Sequence, residues 1–222
     1  MRYAALLLLT LGACKTGKVD SFGGEALRAI AAPPSSLSYE QVAVADGFFL
    51  PVRQMEGRWS GPVLVDDRML YDVEEWEVRE EERIVRERLR VFYGPQGFGY
   101  VGTLDEGGAL TPWEPPQVVL PPHPEVGMRW TATHRKGDRT SVRTCNLGAS
   151  DLCEGGLVSV CDSVMDEGQV VLRDHFCPGV GHVGFEALVV RENQPSLRMW
   201  SRDLVRDGVQ VGPREEDELL AP

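Results

Sequence analysis

Leu70-Tyr71-Asp72-Val73-Glu74-Glu75-Trp76-Glu77-Val78-Arg79, the corner Glu80-Glu81-Glu82, and Arg83-Ile84-Val85-Arg86-Glu87-Arg88-Leu89-Arg90-Val91-Phe92-Tyr93 decide the fold class. In the first limb Leu70, Asp72, Glu74, Trp76 and Val78 alternate with Tyr71, Val73, Glu75, Glu77 and Arg79. In the second, Val85, Glu87, Leu89, Val91 and Tyr93 share one face, and Ile84, Arg86, Arg88, Arg90 and Phe92 the other. Glu and Arg are good helix formers, so an amphipathic helix competes. Period two nevertheless fits better than 3.6, and the closing Val91-Phe92-Tyr93-Gly94-Pro95 is strand-then-turn chemistry. The stretch is expected to be a β-hairpin.

The β signal runs on from about Gln41. Further strands are expected at 97–104, 117–120, 128–134, 140–145, 157–162, 169–176, 183–191 and 197–206. The turns between them are Asp105-Glu106-Gly107-Gly108, Arg135-Lys136-Gly137-Asp138 and Asp166-Glu167-Gly168. Many short strands without a convincing long helix predict an all-β single domain. Its antiparallel sheet should be strongly curved, a half-barrel or sandwich-like, over residues 41–210. Residues 211–222, with Arg214-Glu215-Glu216-Asp217-Glu218, read as an acidic mobile tail.

At 222 residues one domain is favoured. The 42% apolar content suffices for a core, and the formal charge of −11 repels phosphate backbones and anionic headgroups. Nucleic acid is therefore an unsuitable partner. Of five cysteines, Cys14 stands apart near the N terminus. Cys145, Cys153, Cys161 and Cys177 form an even set suited to disulfides in an oxidising compartment. A zinc site is disfavoured because no Cys-x2-Cys knuckle occurs. If 140–145 and 157–162 form a hairpin, Cys153 lies in its loop within reach of Cys145. Cys161 and Cys177 then sit on successive strands. The expected pairs are Cys145–Cys153 and Cys161–Cys177.

Met1 to Cys14 has one positive charge, a short apolar run and small residues before a cysteine. The run is far below the ~20 residues a membrane span needs, and the pattern is that of an export signal. Leu11-Gly12-Ala13-Cys14 resembles the lipobox of bacterial lipoproteins. That resemblance implies that residues 1–13 are a cleaved signal peptide and that Cys14 carries the lipid. Loss of residues 1–13 removes Arg2, their only charge, and takes the mature chain to −12. Two lipid attachments exceed what stable anchoring requires. Lys15 at the next position, where Asp would retain the protein elsewhere, implies the outer membrane, facing the periplasm or the cell surface. Residues 14–40, with Gly23-Gly24 and Pro33-Pro34-Ser35-Ser36, read as a flexible tether with at most a short helix at 25–32.

Candidate chemistry is sparse. Gly-x-Ser-x-Gly, Ser-x-x-Lys and His-Glu-x-x-His are all missing from the sequence. Asp66-Asp67 and Glu74-Glu75 could supply acid/base pairs, but charges on amphipathic strands usually form a solvated face. His175, His182 and Glu186 cluster around Pro178-Gly179-Val180-Gly181, while His123 and His134 stand alone. His182 and Glu186, four apart, share a face if their strand is regular. Convergence of all three in an open cleft would signal a hydrolase. The expectation is no catalytic residue, no metal and no cofactor. Trp59, Trp76, Trp113, Trp130 and Trp200 are expected to be core, with the lining of an apolar cavity as the alternative.

Two segments carry a further resemblance. Leu120-Pro121-Pro122-His123-Pro124-Glu125-Val126-Gly127-Met128-Arg129-Trp130 is followed by Phe176-Cys177-Pro178-Gly179-Val180-Gly181-His182-Val183-Gly184-Phe185-Glu186. In order and spacing they resemble TapB-like and related periplasmic β-domains over residues 70–205. The resemblance implies a sharply curved antiparallel sheet and no catalytic residue. Cys177 and His182 depart from its pattern. Independently, Pro178 fixes φ while Gly179 and Gly181 permit φ > 0, so the chain turns sharply there, with Val180 and Val183 at the core.

The leading expectation is a non-enzymatic, lipid-anchored structural or interaction module with an envelope protein as partner. The alternative is a carrier of a lipid or other apolar ligand, and a hydrolase comes third. A core filled by Trp76 and Trp130 supports the module, and a cavity of roughly 300 Å³ or more supports the carrier.

Overall fold

A computed structural model of the chain describes residues 33–212 except 67, 95, 96, 166, 167 and 193. The signal sequence, Cys14, the short helix at 25–32 and the tail from residue 213 onward lie outside the described residues, whereas Val211 and Gly212, expected in that tail, are bonded to Leu204 O through their backbone N–H groups. The strands are β1 (Ser36–Ala45), β2 (Phe48–Phe49), β3 (Arg53–Val65), β4 (Arg68–Arg79) and β5 (Glu82–Gly94). There follow β6 (Gly97–Leu104), β7 (Leu110–Leu120), β8 (Arg129–Lys136), β9 (Arg139–Ala149) and β10 (Leu157–Met165). The last are β11 (Gly168–Cys177), β12 (Gly181–Arg191), β13 (Leu197–Arg206) and β14 (Val209–Gln210). The order β1-β3-β4-β5-β6-β7-β8-β9-β10-β11-β12-β13 is antiparallel throughout, and β13 pairs back to β1. The all-β, strongly curved sheet therefore closes into a twelve-stranded barrel. Closure satisfies the backbone groups that an open edge would expose. The first strand starts at Ser36, inside the segment read as tether. A proline pair and two serines hid it, although Leu37, Tyr39 and Gln41 alternate inward behind them.

Side-chain hydrogen bonds support the barrel at two seams. At the β1–β13 closure, the Asp207 carboxylate accepts hydrogen bonds from Ser35 N, Ser36 N and Ser35 Oγ at 2.9, 3.0 and 2.5 Å. The Ser35 hydroxyl is the largest influence holding that carboxyl below the usual carboxylate range, and the two backbone N–H groups add to it. The second is the β7–β8 seam, where Glu114 and Arg135 form the one backbone-paired position among the described residues. Pro112, Pro115 and Pro116 remove donors from β7, so a continuous ladder cannot form. Side chains bridge the gap instead. His134 Nδ1 donates to Pro115 O at 2.7 Å, Arg143 Nη1 to Gln117 Oε1 at 2.8 Å and Ser159 Oγ to Val119 O at 2.8 Å. The C-terminal end of β7 folds inward, and Val119 and Leu120 are fully buried.

The hairpin of β4 and β5 forms as expected, with one interruption. Glu75 pairs with Glu87 but Trp76 pairs with Val85, so Arg86 is the extra residue of a bulge. A bulge inverts the alternation beyond it. Glu87, Leu89, Val91 and Tyr93 keep the inner face, whereas Val85 is exposed. The uniform face expected over Val85–Tyr93 is corrected accordingly. The main core gathers Val73, Val91, Tyr93, Phe98, Val119, Leu120, Leu147, Leu157 and Phe176, with Trp59 and Trp130 packed against it. A smaller core of Tyr39, Met55 and Leu204 lies apart from it.

The cysteines pair differently from the expectation. The bonds are Cys145–Cys161 and Cys153–Cys177. The hairpin of β9 and β10 does form, but its register sets Cys161 directly opposite Cys145. Cys153, in the connecting loop, reaches Cys177 at the end of β11 instead. Each bridge should contribute roughly 2–4 kcal/mol. Non-reducing peptide mapping is expected to recover these two linked pairs. Recovery of a Cys145–Cys153 peptide would contradict the register of β9 and β10.

Candidate functional site

The barrel wall leaves a cavity of about 300 Å³ between the two cores. Leu37 and Tyr39 of β1, Trp59 of β3, Leu89 and Val91 of β5 and Phe98 of β6 give it an apolar lining. Pro33 and Pro34 also line it, so the segment arriving from the N terminus borders the cavity. Its polar part comes from Glu75 on β4, Glu87 on β5, Asp174 on β11 and His182 on β12. Strand alternation places the two glutamates there, because Glu75 continues the inner row of Tyr71 and Val73, and Glu87 that of Leu89 and Val91.

The two faces of the β4–β5 hairpin treat their carboxylates differently. On the outer face Arg90 Nε meets Asp72 Oδ1 at 2.6 Å and Arg88 Nε meets Glu74 Oε1 at 2.8 Å. Trp76 also faces outward, donating to Glu56 Oε2 at 3.0 Å beneath Arg83. Glu77, further along the inner row, is held by Arg79 and Arg86. Glu75 and Glu87 sit directly opposite each other with no Arg or Lys in ion-pair contact among the described residues. Tyr39 OH donates to Glu75 Oε2 at 3.4 Å.

Enclosure and like charge dominate the electrostatics. Burial, and after it the Glu87 charge, raises the Glu75 carboxyl to about 7, against smaller opposing effects of His182 and Tyr39. Burial likewise raises Glu87, with Lys136 pulling the other way. Tyr39 and Tyr100 are both pushed well above the ordinary phenol value, chiefly by burial. Glu87 lines the cavity and its side chain is exposed, so its carboxylate stays accessible to an occupant and is desolvated less than that of Glu75. Asp174 is 4% exposed. Its Oδ1 accepts from His182 Nε2 at 3.2 Å, while its Oδ2 is buried without a hydrogen-bond partner.

The residues singled out in the sequence distribute unevenly over this geometry. Of the Glu74-Glu75 pair, only Glu75 faces the cavity. Asp66 is an exposed turn residue, and Asp67 lies outside the described residues. His175, His182 and Glu186 do not converge. His175 pairs with Gly184 but Phe176 pairs with His182, so Val183 is an extra residue and the strand changes parity. His182 consequently faces inward, whereas Glu186 faces outward, where Arg173 and Arg198 lie within 3.6 Å and 3.4 Å of it. The expected shared face of His182 and Glu186 is thus corrected. His175 joins Ser150 Oγ through Nδ1 at 2.9 Å, beside an outer groove that Glu186 also lines. Burial holds the His175 imidazole below its ordinary value.

Gly179 and Gly181 do adopt positive φ, at 73° and 92°, and Val183 is buried. Of the tryptophans, Trp59 lines the cavity and Trp130 packs on the core, but Trp76 does not fill it. Trp113 lies beneath Lys136, and Trp200 stacks edge-on with Phe49. Tyr39, Glu87, Tyr100 and Asp174 belong to no motif. The one signal for Glu87 was a carboxylate on a face otherwise made of Val, Leu and Tyr. Among the described residues no group of three His, Cys, Asp or Glu side chains is placed to hold a metal ion.

The chain matches no protein-family profile and no curated protein, so the resemblance to TapB-like domains is carried no further. It is similar to two solved structures. One, from Parabacteroides distasonis and described as a candidate lipoprotein, is 6% identical with a TM-score of 0.38, covering 81% of this chain and 96% of that one. The other, from Bacteroides fragilis and described as a candidate exported protein with a YmcC-like fold, is 8% identical with a TM-score of 0.37, covering 79% and 95%.

Proposed function

We propose that this chain is a lipid-anchored protein of the bacterial envelope that holds a small amphiphilic molecule inside its barrel. The observation that carries this reading is the cavity of about 300 Å³, apolar along most of its wall and polar at three carboxyls and an imidazole. Ligand sites have this character: concave, mainly apolar, with a few polar groups to orient the occupant. A barrel serving only as a scaffold would fill that space with side chains, since interiors otherwise pack densely. The lipobox supports anchoring at Cys14, and Lys15 supports the outer membrane.

The site binds and does not turn over. His175, His182 and Glu186 lie on both sides of the sheet, and the Ser150–His175 hydrogen bond borders the outer groove, away from the cavity. A carrier is thereby favoured over the structural module, whose core would have been solid.

The test uses the full chain produced in a bacterial envelope. Native mass spectrometry of the detergent-extracted protein should show a non-covalent adduct in addition to the lipid at Cys14. Cys14→Ala should move the protein into the soluble fraction with its barrel intact. A Cys14→Ala protein that stays membrane-bound would sink the lipoprotein reading. An apo mass under conditions that preserve non-covalent complexes, with no uptake of added amphiphiles, would sink the carrier reading.

A further inference from the structure

The character of the cavity's polar part narrows the class of occupant. Glu75, Glu87 and Asp174 are three carboxyls against one imidazole, His182, and among the described residues no Arg or Lys lines the same space. The cations nearest in their electrostatic influence stand outside the lining: Arg143 gives Nη1 to Gln117 while its Nη2 is buried without a hydrogen-bond partner, and Lys136 stacks 4.8 Å over the Trp113 ring. On the outer face of the same hairpin, Asp72 and Glu74 each have an arginine. The inner carboxyls Glu75 and Glu87 have none among the described residues, although arginines alternate along β5.

Asp174 supplies a separate observation. It is 96% buried, since 4% remains exposed, and its Oδ2 has no partner. A buried, unsatisfied carboxylate oxygen costs free energy that a donor on a ligand would recover. Around these carboxyls stand the rings of Tyr39, Trp59, Tyr100 and Phe176. Aromatic faces attract cations and repel anions. Trp59 Nε1, also without a partner, is a neutral donor and does not alter that preference.

We infer that the occupant is an apolar molecule bearing a cationic nitrogen, an amine of modest size, which Glu75, Glu87 and Asp174 bind by charge-assisted hydrogen bonds. The inference rests on the carrier reading and adds the chemical class of the ligand. A carboxylate or phosphate amphiphile would place its charge against three carboxyls and find no cation in the lining. At ~30 Å³ per non-hydrogen atom the cavity holds about ten such atoms, so eight-carbon amphiphiles suit it.

Isothermal titration of the full chain at pH 8 with octylamine, 1-octanol and octanoate distinguishes the classes at constant chain length. Octylamine should bind about tenfold or more tighter than 1-octanol, the ratio that one charge-assisted hydrogen bond provides, and octanoate weakest. The variant Glu75→Gln with Glu87→Gln should bring octylamine down to the octanol affinity. Retained octanol binding in that variant shows that barrel and cavity persist. If octanol or octanoate binds as tightly as octylamine, or the double variant keeps the amine preference, the inference is wrong while the carrier reading stands. If none of the three binds the parent protein, the carrier reading itself fails.

Discussion

Replacing Gly99 by alanine is expected to destabilise the barrel far more than a methyl group added at an open turn glycine. A Cβ built on Gly99 would lie 2.0 Å from Gln117 O, 2.9 Å from Gln117 C and 2.8 Å from a ring carbon of Phe92. Two of these are backbone atoms of β7, which cannot rotate away. The strand sits so close because its C-terminal end turns inward to bury Val119 and Leu120. Its route is fixed by the Ser159 and Arg143 hydrogen bonds. Overpacking at such a site should cost about 3 kcal/mol or more. For a chain of this size that corresponds to a fall of roughly 6–12 °C in melting temperature. Gly107→Ala is the control, since its Cβ would meet only Asp105 Oδ1, at 3.4 Å, in the β6–β7 turn. Thermal unfolding followed by circular dichroism should show Gly107→Ala near the parent and Gly99→Ala far below it. Equal melting temperatures for the two variants would mean that β7 does not cross the barrel as described. Phe98 and Tyr100 flank Gly99 and line the cavity, so the same variant should weaken ligand uptake.

The second large effect depends on pH. Glu75 titrates at about 7 in the folded barrel, against 4.5 for an ordinary glutamate, because burial and then the facing Glu87 charge disfavour its ionised form. Between those two values the folded state binds more protons than the unfolded one. By linkage, stability is then greatest below about 4.5 and is lost as pH rises through about 7. Glu87, raised by its own burial, acts in the same direction. Glu75→Gln keeps the shape and the acceptor for Tyr39 OH but removes the ionisable group. Near pH 4 it should match the parent, and at pH 8 it should be more stable, by up to about 3 kcal/mol. Urea unfolding at the two pH values measures this directly. A variant less stable than the parent at pH 8, or a difference independent of pH, would show that Glu75 is solvated in the fold. A cation bound in the cavity should reduce the difference by favouring the ionised carboxylate.

The alternation that identified the β4–β5 hairpin also gave the correct faces for Glu87–Tyr93, and it failed at Val85. His182 and Glu186 were assigned one face by the same rule, and the bulge at Val183 separated them. Period two is a property of a regular strand. An extra residue inverts it, and whether one is inserted depends on how a strand bends against its neighbour, which local composition does not record. The cysteines illustrate the same limit. An even number in an exported chain predicts disulfides, but the pairing follows from which residues of β9 and β10 stand opposite each other. Glu75 was visible as one of two adjacent acids; its partner Glu87, Tyr39 36 residues upstream and Asp174 were not. The hairpin register sets Glu87 opposite Glu75, and the curvature of the sheet brings Tyr39 and Asp174 to them.

From its sequence alone this chain is an acidic, all-β protein with a lipobox-like N terminus, strands from Leu70 onward in nearly the observed places and glycines where several turns need positive φ. Those properties depend on neighbouring residues: alternation, turn chemistry and charge are local and survive without knowledge of the partner strand. Tertiary structure decided that the sheet closes, through β1 and β13, and that β7 turns inward across a proline-broken seam. It also decided that three carboxyls face one cavity while Asp72 and Glu74, beside Glu75 on β4, pair with arginines on the outer face. Closure and enclosure depend on contacts between residues far apart in the chain, and a carboxylate's partner and solvation are set by what the opposite wall presents to it.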